Sequence, residues 1–200
     1  MKTLLHIGCG AHTINQTTDS FNDGSWKEIR LDINPKNNPD IIGTMTDMFA
    51  IQDQSMDAIF SSHNIEHLYY HEVLTALAEF YRVLKRSGFC IITCPDLQSV
   101  SVLIANDKLL DLAYQAPAGP ITPLDIVYGH TMSVMQGNPF MAHRCGFTKK
   151  TLSQVLEQSG FKSTCVIQRP EYFDLWALAS KVEISSSQLE ILTKNHFPSL

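Results

Sequence analysis

The first ten residues constrain the fold more than any other stretch of the chain. A short apolar run at residues 4–7 leads into Gly8-Cys9-Gly10, a pattern that predicts a buried strand followed by a tight turn. Because glycine has no Cβ, it adopts positive φ and lets another molecule approach the backbone closely. A Gly-x-Gly turn after a strand is therefore typical of proteins that bind a nucleotide-like ligand, and the following segments must indicate which ligand.

Length and composition indicate one soluble domain with a small-molecule partner. The 200 residues suffice for one hydrophobic core, and no apolar run reaches the roughly 18 residues of a membrane span. The first ten residues lack the features of a signal peptide, so the expected location is cytoplasmic. A net charge of −5 argues against nucleic acid as a partner. The five cysteines contain no Cys-x-x-Cys pair, so they indicate neither a disulfide framework nor a zinc ribbon.

Strand signals alternate with helix signals along most of the chain. After the first strand, strands are predicted at residues 28–33, 40–43, 55–62 and 89–94, with a helix at residues 71–86. Thr148 and Gly160 bracket another helix, and strands at 161–168 and 172–179 precede a short helix and tail at 185–200. This order predicts an α/β fold with a Rossmann-like, doubly wound and mostly parallel seven-stranded sheet.

Two segments depart from that pattern. Residues 11–26 are mostly polar, so at most two helical turns fit between the first two strands. Residues 96–145 contain four prolines and three glycines, and about fifty residues exceed an ordinary connection. We therefore expect a single domain over residues 1–200, with a lid or substrate-binding insertion at 96–145 after the fifth strand.

Asp32 indicates an adenosine ribose, which NAD and S-adenosylmethionine share, and position 13 distinguishes between these two ligands. It ends the predicted second strand, where an acidic side chain can accept hydrogen bonds from ribose hydroxyls; the alternative is a solvated aspartate in an Asp-x-Asn-Pro turn. A dinucleotide site would have a third glycine at position 13, opening a helix toward the pyrophosphate, but that residue is Thr13. S-adenosylmethionine carries no phosphate and tolerates this defect, so it is favoured over NAD.

The chain resembles the class I S-adenosylmethionine-dependent methyltransferases, in particular the type 11-like group. The motifs that carry the resemblance are Leu5-His6-Ile7-Gly8-Cys9-Gly10, Leu31-Asp32-Ile33-Asn34-Pro35 and Met45-Thr46-Asp47-Met48, with residues 57–68, 80–88 and 143–161. The resemblance implies S-adenosylmethionine as cofactor, bound by Gly8, Cys9, Gly10, Asp32, Ile33, Thr46, Asp47, Met48, Ser62 and His63. The third glycine and the N-terminal helices common in the family are missing, so the insertion is expected to control access to the methyl group.

Several histidines are candidates for catalysis. Ligands of open α/β sheets bind at the carboxyl ends of the strands, where His63 and His67 follow the fourth strand. His130 and His143 come from the insertion and can face the same cleft. A neutral histidine can take a proton from a hydroxyl acceptor, so His63, His67 and His130 are the predicted catalytic residues.

The same segment matches a zinc-binding pattern. His63-Asn64-Ile65-Glu66-His67 fits the His-x-x-Glu-His motif of inverted zinc peptidases, in which both histidines share a helix face. Here the motif begins directly after a predicted strand, before a helix is established. We therefore expect polar residues at the edge of the sheet and no bound metal.

The leading expectation is an enzyme that transfers a methyl group from S-adenosylmethionine to a small molecule such as a sugar or another hydroxyl-bearing acceptor. The alternatives are an NAD(P)-binding Rossmann oxidoreductase and a methyltransferase-like binding protein without catalysis. No membrane partner is expected, and the apolar insertion is compatible with a homodimer. No residue in the sequence identifies the acceptor.

Overall fold

A seven-stranded sheet forms the centre of the protein, as predicted. The computed structural model describes residues 1–198, so the last two residues of the predicted tail lie outside the described part. The strands of the sheet are β1 Lys2–Ile7, β2 Trp26–Asp32, β3 Ile41–Ile42, β4 Met56–Ser62, β5 Leu84–Pro95, β8 Ser163–Arg169 and β9 Asp174–Ser180, and a separate hairpin contains β6 Tyr114–Ala116 and β7 Gly119–Ile121. The strand order is β3-β2-β1-β4-β5-β9-β8, and only β9 runs antiparallel to its neighbours.

Helices cover both faces of the sheet. They are α1 Val73–Val83, α2 Leu97–Ala105, α3 Pro123–Tyr128, α4 Thr131–Met135, α5 Lys149–Gln158 and α6 Ser186–His196. The predicted ends of α5 are confirmed: the Thr148 hydroxyl accepts the N–H of Thr151 at 3.3 Å, and Gly160 has φ +96° just beyond the helix. These are the expected N-cap and left-handed stop.

The predicted end of the helix at residues 71–86 is wrong. The helix ends at Val83, and Leu84 is already the first residue of β5, where it pairs with Met56. Leu84 has no exposed surface, so burial in the sheet outweighs the helical propensity of the basic residues that follow. Lys85, Arg86 and Gly88 accordingly lie in the strand.

Adjacent residues of β1 bury opposite faces of the sheet. Leu5 belongs to the core formed with α1 and α5, whereas Leu4 packs with Phe21 and Phe60 on the other side. Both leucines have no exposed surface, as expected for a parallel strand that is covered on both faces.

The connection from β1 to β2 is short, as predicted. It contains only two 3-10 helices, Ile14–Gln16 and Asp19–Phe21, and no α-helix among its described residues. Phe21 is fully buried, and the ring of His196 from α6 lies 4.3 Å from its ring. Helix α6 therefore packs over the face beside this connection.

The insertion has a small core of its own, formed by Val100, Ile121 and Ile126. The two ends of the insertion lie together at the carboxyl edge of the sheet. Asp96, directly after β5, forms an isolated β-bridge with Phe147, just beyond the end of the insertion. The Arg144 N–H also donates to the Glu66 carbonyl at 2.8 Å. Within residues 1–198, no helix has the length and apolar character needed to span a membrane.

Candidate active site

The turn after β1 has the backbone conformation that its glycines predict. Gly8 and Gly10 have φ values of +60° and +55°, and the Gly8 N–H donates to the Leu31 carbonyl at 2.8 Å. A Cβ on Gly10 would meet no atom within 4 Å, whereas a Cβ on Gly8 would lie 1.8 Å from Asn64 Oδ1. Gly10 therefore borders open space, and Gly8 makes room for a neighbouring side chain.

That side chain, Asn64, joins the carboxyl ends of two strands. Its Nδ2 donates to the carbonyls of Ile7 in β1, at 2.9 Å, and of Ser62 in β4, at 2.8 Å. The sequence placed Asn64 at this edge but did not indicate that it holds the turn. The role depends on the alignment of β1 with β4, which a single sequence does not specify.

Asp32 is fixed by backbone donors on both sides. Its Oδ2 accepts the N–H of Gly10, and its Oδ1 accepts the N–H of Asn34, each at 2.7 Å. Each carboxylate oxygen keeps a second lone pair. The next side chain, Ile33, is 48% exposed and offers an apolar surface beside the carboxylate.

Arg30 was missed in the sequence. Its guanidinium donates to the carbonyls of Gly10 at 2.9 Å and His12 at 3.0 Å, and to those of Asn37 and Asn38 at 3.1 Å. It therefore ties together the two loops that flank Asp32. An arginine at a polar position of an alternating strand usually faces solvent, so the pattern contained no signal for this role.

The remaining residues predicted to bind a cofactor differ in accessibility. Asp47 is exposed, whereas Cys9 and Met48 are 1% and 2% exposed and belong to the core. The Met48 N–H donates to Glu79 Oε2 of α1 at 2.7 Å. The hydroxyl groups of two other predicted residues form hydrogen bonds within the protein. Thr46 Oγ1 lies 3.0 Å from Thr44 Oγ1, and Ser62 Oγ lies 2.8 Å from Thr93 Oγ1.

A cavity of about 260 Å³ lies between the carboxyl end of β4 and the insertion. It brings together the three predicted catalytic histidines and His143, the other histidine of the insertion. Its lining includes His63, His67, His130, His143, Tyr114 and Ile126. The expectation that histidines from the insertion face the same cleft is confirmed.

Glu66 lies beneath these histidines with no exposed surface. Its Oε1 is 3.4 Å from His63 Nδ1 and 4.0 Å from His143 Nε2. Neither carboxylate oxygen has a hydrogen-bond partner among the described residues. The rings of His67 and His143 meet edge to face, with their centroids 4.9 Å apart.

Charge and burial act in opposite directions on this cluster. Burial raises the pKa of Glu66, but His63, His67 and His143 lower it more, so the net pKa lies below the usual value. Burial lowers the pKa of His63, and the Glu66 carboxylate outweighs that effect, so the net pKa is raised. For His143, burial is the larger influence and the net pKa is lowered. Glu66 is therefore a carboxylate, and His143 is neutral near pH 7.

The segment that matches the zinc-peptidase pattern is not an α-helix. Ile65–His67 forms a single 3-10 turn, and His63 before it has φ +52°. His63 and His67 therefore do not share a helix face. This agrees with the prediction that no helix is established directly after β4. His143 of the insertion, rather than His63, completes the group with Glu66 and His67 whose ligand atoms lie within 4.8 Å of one another.

Several solved structures with the same architecture are methyltransferases. A SAM-dependent methyltransferase from Archaeoglobus fulgidus aligns with a TM-score of 0.60 and 17% identity, over 90% of this chain and 86% of that one. A putative S-adenosylmethionine-dependent methyltransferase from Listeria monocytogenes aligns with a TM-score of 0.58 and 19% identity, over 91% and 90%. At these identities the similarities establish the fold.

A third structure was solved with ligands. It is the 1,6-didemethyltoxoflavin-N1-methyltransferase of Burkholderia thailandensis with bound 1,6-didemethyltoxoflavin and S-adenosylhomocysteine, with a TM-score of 0.54 and 13% identity over 90% of this chain and 71% of that one. No protein of curated function matches the sequence.

The sequence itself matches a family model. Residues 5–92, which run from β1 into β5, match the methyltransferase domain. This range contains the glycine turn, Asp32 and the β4 edge with His63 and Glu66. The family match and the fold both indicate a class I S-adenosylmethionine-dependent methyltransferase, with S-adenosylmethionine as its cofactor.

Proposed function

We propose that this methyltransferase acts on a small, hydroxyl-bearing molecule held in the cavity between β4 and the insertion. The observation that supports this most directly is the shared lining of the cavity. His63 and His67 come from the β4 edge, whereas Tyr114, Ile126 and His130 come from the insertion. An acceptor enclosed in this way lies next to the carboxyl ends of the strands, where open α/β sheets bind ligands.

The residues around Asp32 fit the cofactor. The free lone pairs of the Asp32 carboxylate suit two ribose hydroxyls, and exposed Ile33 offers an apolar surface for a base. Gly10 borders open space, so backbone can approach the rest of the ligand there. Cys9 and Met48 are buried, so we assign them to shaping the site rather than to direct side-chain contact.

The size of the cavity favours a small acceptor. About 260 Å³ lies near the lower end of the range for small-molecule sites, roughly 300–1,000 Å³. Ile121, Ile126 and Tyr114 provide apolar walls, and the histidines provide a few polar groups. The Burkholderia thailandensis enzyme, which binds 1,6-didemethyltoxoflavin, supports a small acceptor but not its hydroxyl group.

The protein contributes positioning and proton transfer. S-adenosylmethionine held beside Asp32 and Gly10 would supply a methyl group on a sulfonium, whose thioether needs no proton on leaving. The walls of the cavity exclude water and align the acceptor oxygen. As the new oxygen–carbon bond forms and the carbon–sulfur bond breaks, the hydroxyl proton passes to a neutral histidine nitrogen.

Among the predicted histidines, we assign the role of base to His130. Its Nδ1 lies 2.7 Å from Ser133 Oγ, and donation from Nδ1 leaves a lone pair on Nε2. His67 Nδ1 contacts the Ala142 carbonyl at 3.0 Å, and a ring nitrogen of His67 lies within 4.8 Å of Glu66 and His143. The raised pKa of His63 favours the protonated form, which is not a base.

Filling the cavity tests where the acceptor binds. Ala118 is exposed on the turn of the insertion hairpin and lines the cavity, so Ala118→Trp should obstruct acceptor entry without disturbing the core. We expect acceptor turnover, measured as S-adenosylhomocysteine release with a panel of hydroxyl-bearing molecules, to fall at least about tenfold, which is about 1.4 kcal/mol. Affinity for S-adenosylmethionine should be unchanged. Ala105→Trp, at the exposed end of α2, is the matched control; equal activity of both variants would contradict the assignment.

Replacing His130 tests the base. His130→Ala should lower kcat about 100-fold or more and leave the affinity for S-adenosylmethionine within about twofold. His71→Ala removes an exposed histidine outside the cavity and should leave kcat unchanged. An unchanged kcat in His130→Ala would show that this histidine is not the base.

A further inference from the structure

We propose that Glu66, His67 and His143 bind one divalent transition-metal ion. The three side chains come from the β4 edge and from the end of the insertion, which meet where the Arg144 N–H donates to the Glu66 carbonyl at 2.8 Å. One carboxylate oxygen and one nitrogen from each histidine lie within 4.8 Å of one another. The sequence predicted no metal, because the His-x-x-Glu-His pattern needs His63 and His67 on one helix face and a strand ends directly before it.

Backbone contacts determine which nitrogen of His67 and of His143 carries the lone pair. His67 Nδ1 lies 3.0 Å from the Ala142 carbonyl, and His143 Nδ1 lies 2.9 Å from the Ile126 carbonyl. A carbonyl only accepts hydrogen bonds, so each Nδ1 carries a hydrogen and each neutral ring keeps its lone pair on Nε2. Donation of the outer N–H to a backbone carbonyl is the arrangement that orients metal-ligating histidines in proteins.

Glu66 supplies an independent indication of a missing partner. Its carboxylate has no exposed surface, and neither oxygen is hydrogen-bonded within the described part of the chain. A buried carboxylate without hydrogen bonds is unfavourable unless a cation or donor compensates it. His63 Nδ1 lies 3.4 Å from Oε1 but makes no hydrogen bond to the carboxylate. A divalent ion at the junction of Glu66, His67 and His143 would bond directly to a carboxylate oxygen.

The distances are compatible with a single ion. Glu66 Oε1 and His143 Nε2 are 4.0 Å apart, and two tetrahedral metal bonds of about 2.1 Å each place their ligand atoms about 3.4 Å apart. Side-chain rotations that move each ligand atom by less than about 1 Å would bring the group, whose ligand atoms lie within 4.8 Å of one another, to bonding distance.

The ligand types define the class of ion. Two imidazole nitrogens and one carboxylate suit Zn²⁺ and Fe²⁺, whereas Ca²⁺ and Mg²⁺ prefer sites made of oxygen ligands. Three protein ligands leave at least one coordination position open. His67 and His143 also line the cavity, so an open position can face a bound molecule there.

An ion in this position would bind an acceptor oxygen and lower the pKa of its hydroxyl. This use of the ion rests on the proposed function, whereas ion binding itself does not. The hydroxyl proton would still pass to His130, and the ion would take no electrons. The further role is therefore orientation and activation of the acceptor, next to a base that is not a ligand.

Metal titration of the intact, tag-free protein tests the site. After dialysis against a chelator, the chain should bind one Zn²⁺, measured by elemental analysis and calorimetry. At an ion concentration 100 times Kd, the melting temperature should rise by about 5–10 °C. Co²⁺ should produce visible absorption bands typical of four or five ligands. Binding of less than about 0.1 ion per chain would overturn the proposal.

Matched variants locate the ion. Glu66→Gln keeps the shape of the side chain, and His143→Gln removes an imidazole; each should abolish the zinc-dependent rise in melting temperature and the Co²⁺ bands. His71→Ala should retain both. Equal loss in His71→Ala, or full retention in both Glu66→Gln and His143→Gln, would contradict this assignment.

Two further measurements separate misfolding and the proposed function from metal binding. Metal-free Glu66→Gln should still melt cooperatively, so that loss of the zinc-dependent rise reports loss of a ligand and not misfolding. All variants should still bind S-adenosylmethionine. If the wild type binds an ion but methylates no hydroxyl acceptor, the proposed function is wrong and the metal site is supported. If it methylates a hydroxyl acceptor but binds no ion, the metal site is wrong and the proposed function is supported.

Discussion

The amide of Asn64 occupies the space beside Gly8, so that a Cβ on Gly8 would lie 1.8 Å from Asn64 Oδ1. The same amide donates to the carbonyls of Ile7 and Ser62. The glycine, the turn and the β4 edge are therefore one packed unit. Glycine is required at position 8 because Asn64 fills the space that a side chain would take. At position 10 the space beside the glycine is open.

This difference predicts unequal effects of two glycine substitutions. Gly10→Ala should lower the free energy of unfolding by about 1–2 kcal/mol, the cost of positive φ for a residue with a Cβ. Gly8→Ala adds a steric clash and should cost more than about 3 kcal/mol. Urea denaturation measures both. Equal losses in the two variants would contradict the packing described.

A double substitution isolates the contact itself. Asn64→Ala removes the three atoms nearest to the added Cβ, so it should cost less in the Gly8→Ala background than in the wild type. A double-mutant cycle should give a coupling of roughly 1 kcal/mol or more. Strict additivity would show that Asn64 is not what restricts position 8.

Arg30 is predicted to hold the cofactor site without touching the cofactor. Arg30→Met keeps the aliphatic stem but removes the donors to the carbonyls of Gly10, His12, Asn37 and Asn38. We expect the Kd for S-adenosylmethionine to rise about tenfold, which corresponds to about 1.4 kcal/mol. Arg86→Met, at an exposed position of β5, is the matched control. Calorimetry that finds equal Kd values for the two variants would exclude the role.

His196 should make stability depend on pH. Burial lowers its pKa to about 4, because the ring is 4% exposed and contacts Phe21 and Thr18. Between the unfolded pKa of about 6.5 and the folded pKa, only the unfolded chain takes up the proton. Stability is therefore fully present above about pH 6.5 and falls by about 3 kcal/mol as the pH decreases to about 4.

The variant His196→Gln should lack this part of the pH dependence. The difference in free energy of unfolding between wild type and variant, measured in urea from about pH 7 to about pH 4, should change by about 3 kcal/mol. Other titrating groups contribute equally to both proteins and cancel. A difference that stays constant with pH would contradict the shifted pKa.

Local patterns were sufficient to predict the sheet and its order of elements. The apolar run before Gly8, the Thr148 cap and the Gly160 stop each depend on nearby residues, and each is confirmed. The end of α1 was not predictable in this way. Leu84 is suited to a helix or a strand by itself, and its pairing with Met56 across the sheet decides between them.

The site was predictable only where residues follow a strand. Asp32 and His63 could be placed at the carboxyl edge because parallel strands end together. Arg30 and Asn64 act through carbonyls that are distant in sequence, and the insertion brings His143 to Glu66 from 77 residues away. A homodimer, the lid role of residues 96–145 and the assigned cofactor contacts stay predictions.

Calorimetric titration with S-adenosylmethionine tests the central claim most directly. The wild type should bind it, and Asp32→Ala should raise Kd at least about tenfold. Asp57→Ala is the control, since Asp57 Oδ2 accepts the Thr3 N–H at 2.8 Å at the opposite edge of the sheet, and it should leave Kd unchanged. Binding of NADH without binding of S-adenosylmethionine or its demethylated product, or equal Kd values in both variants, would contradict the account.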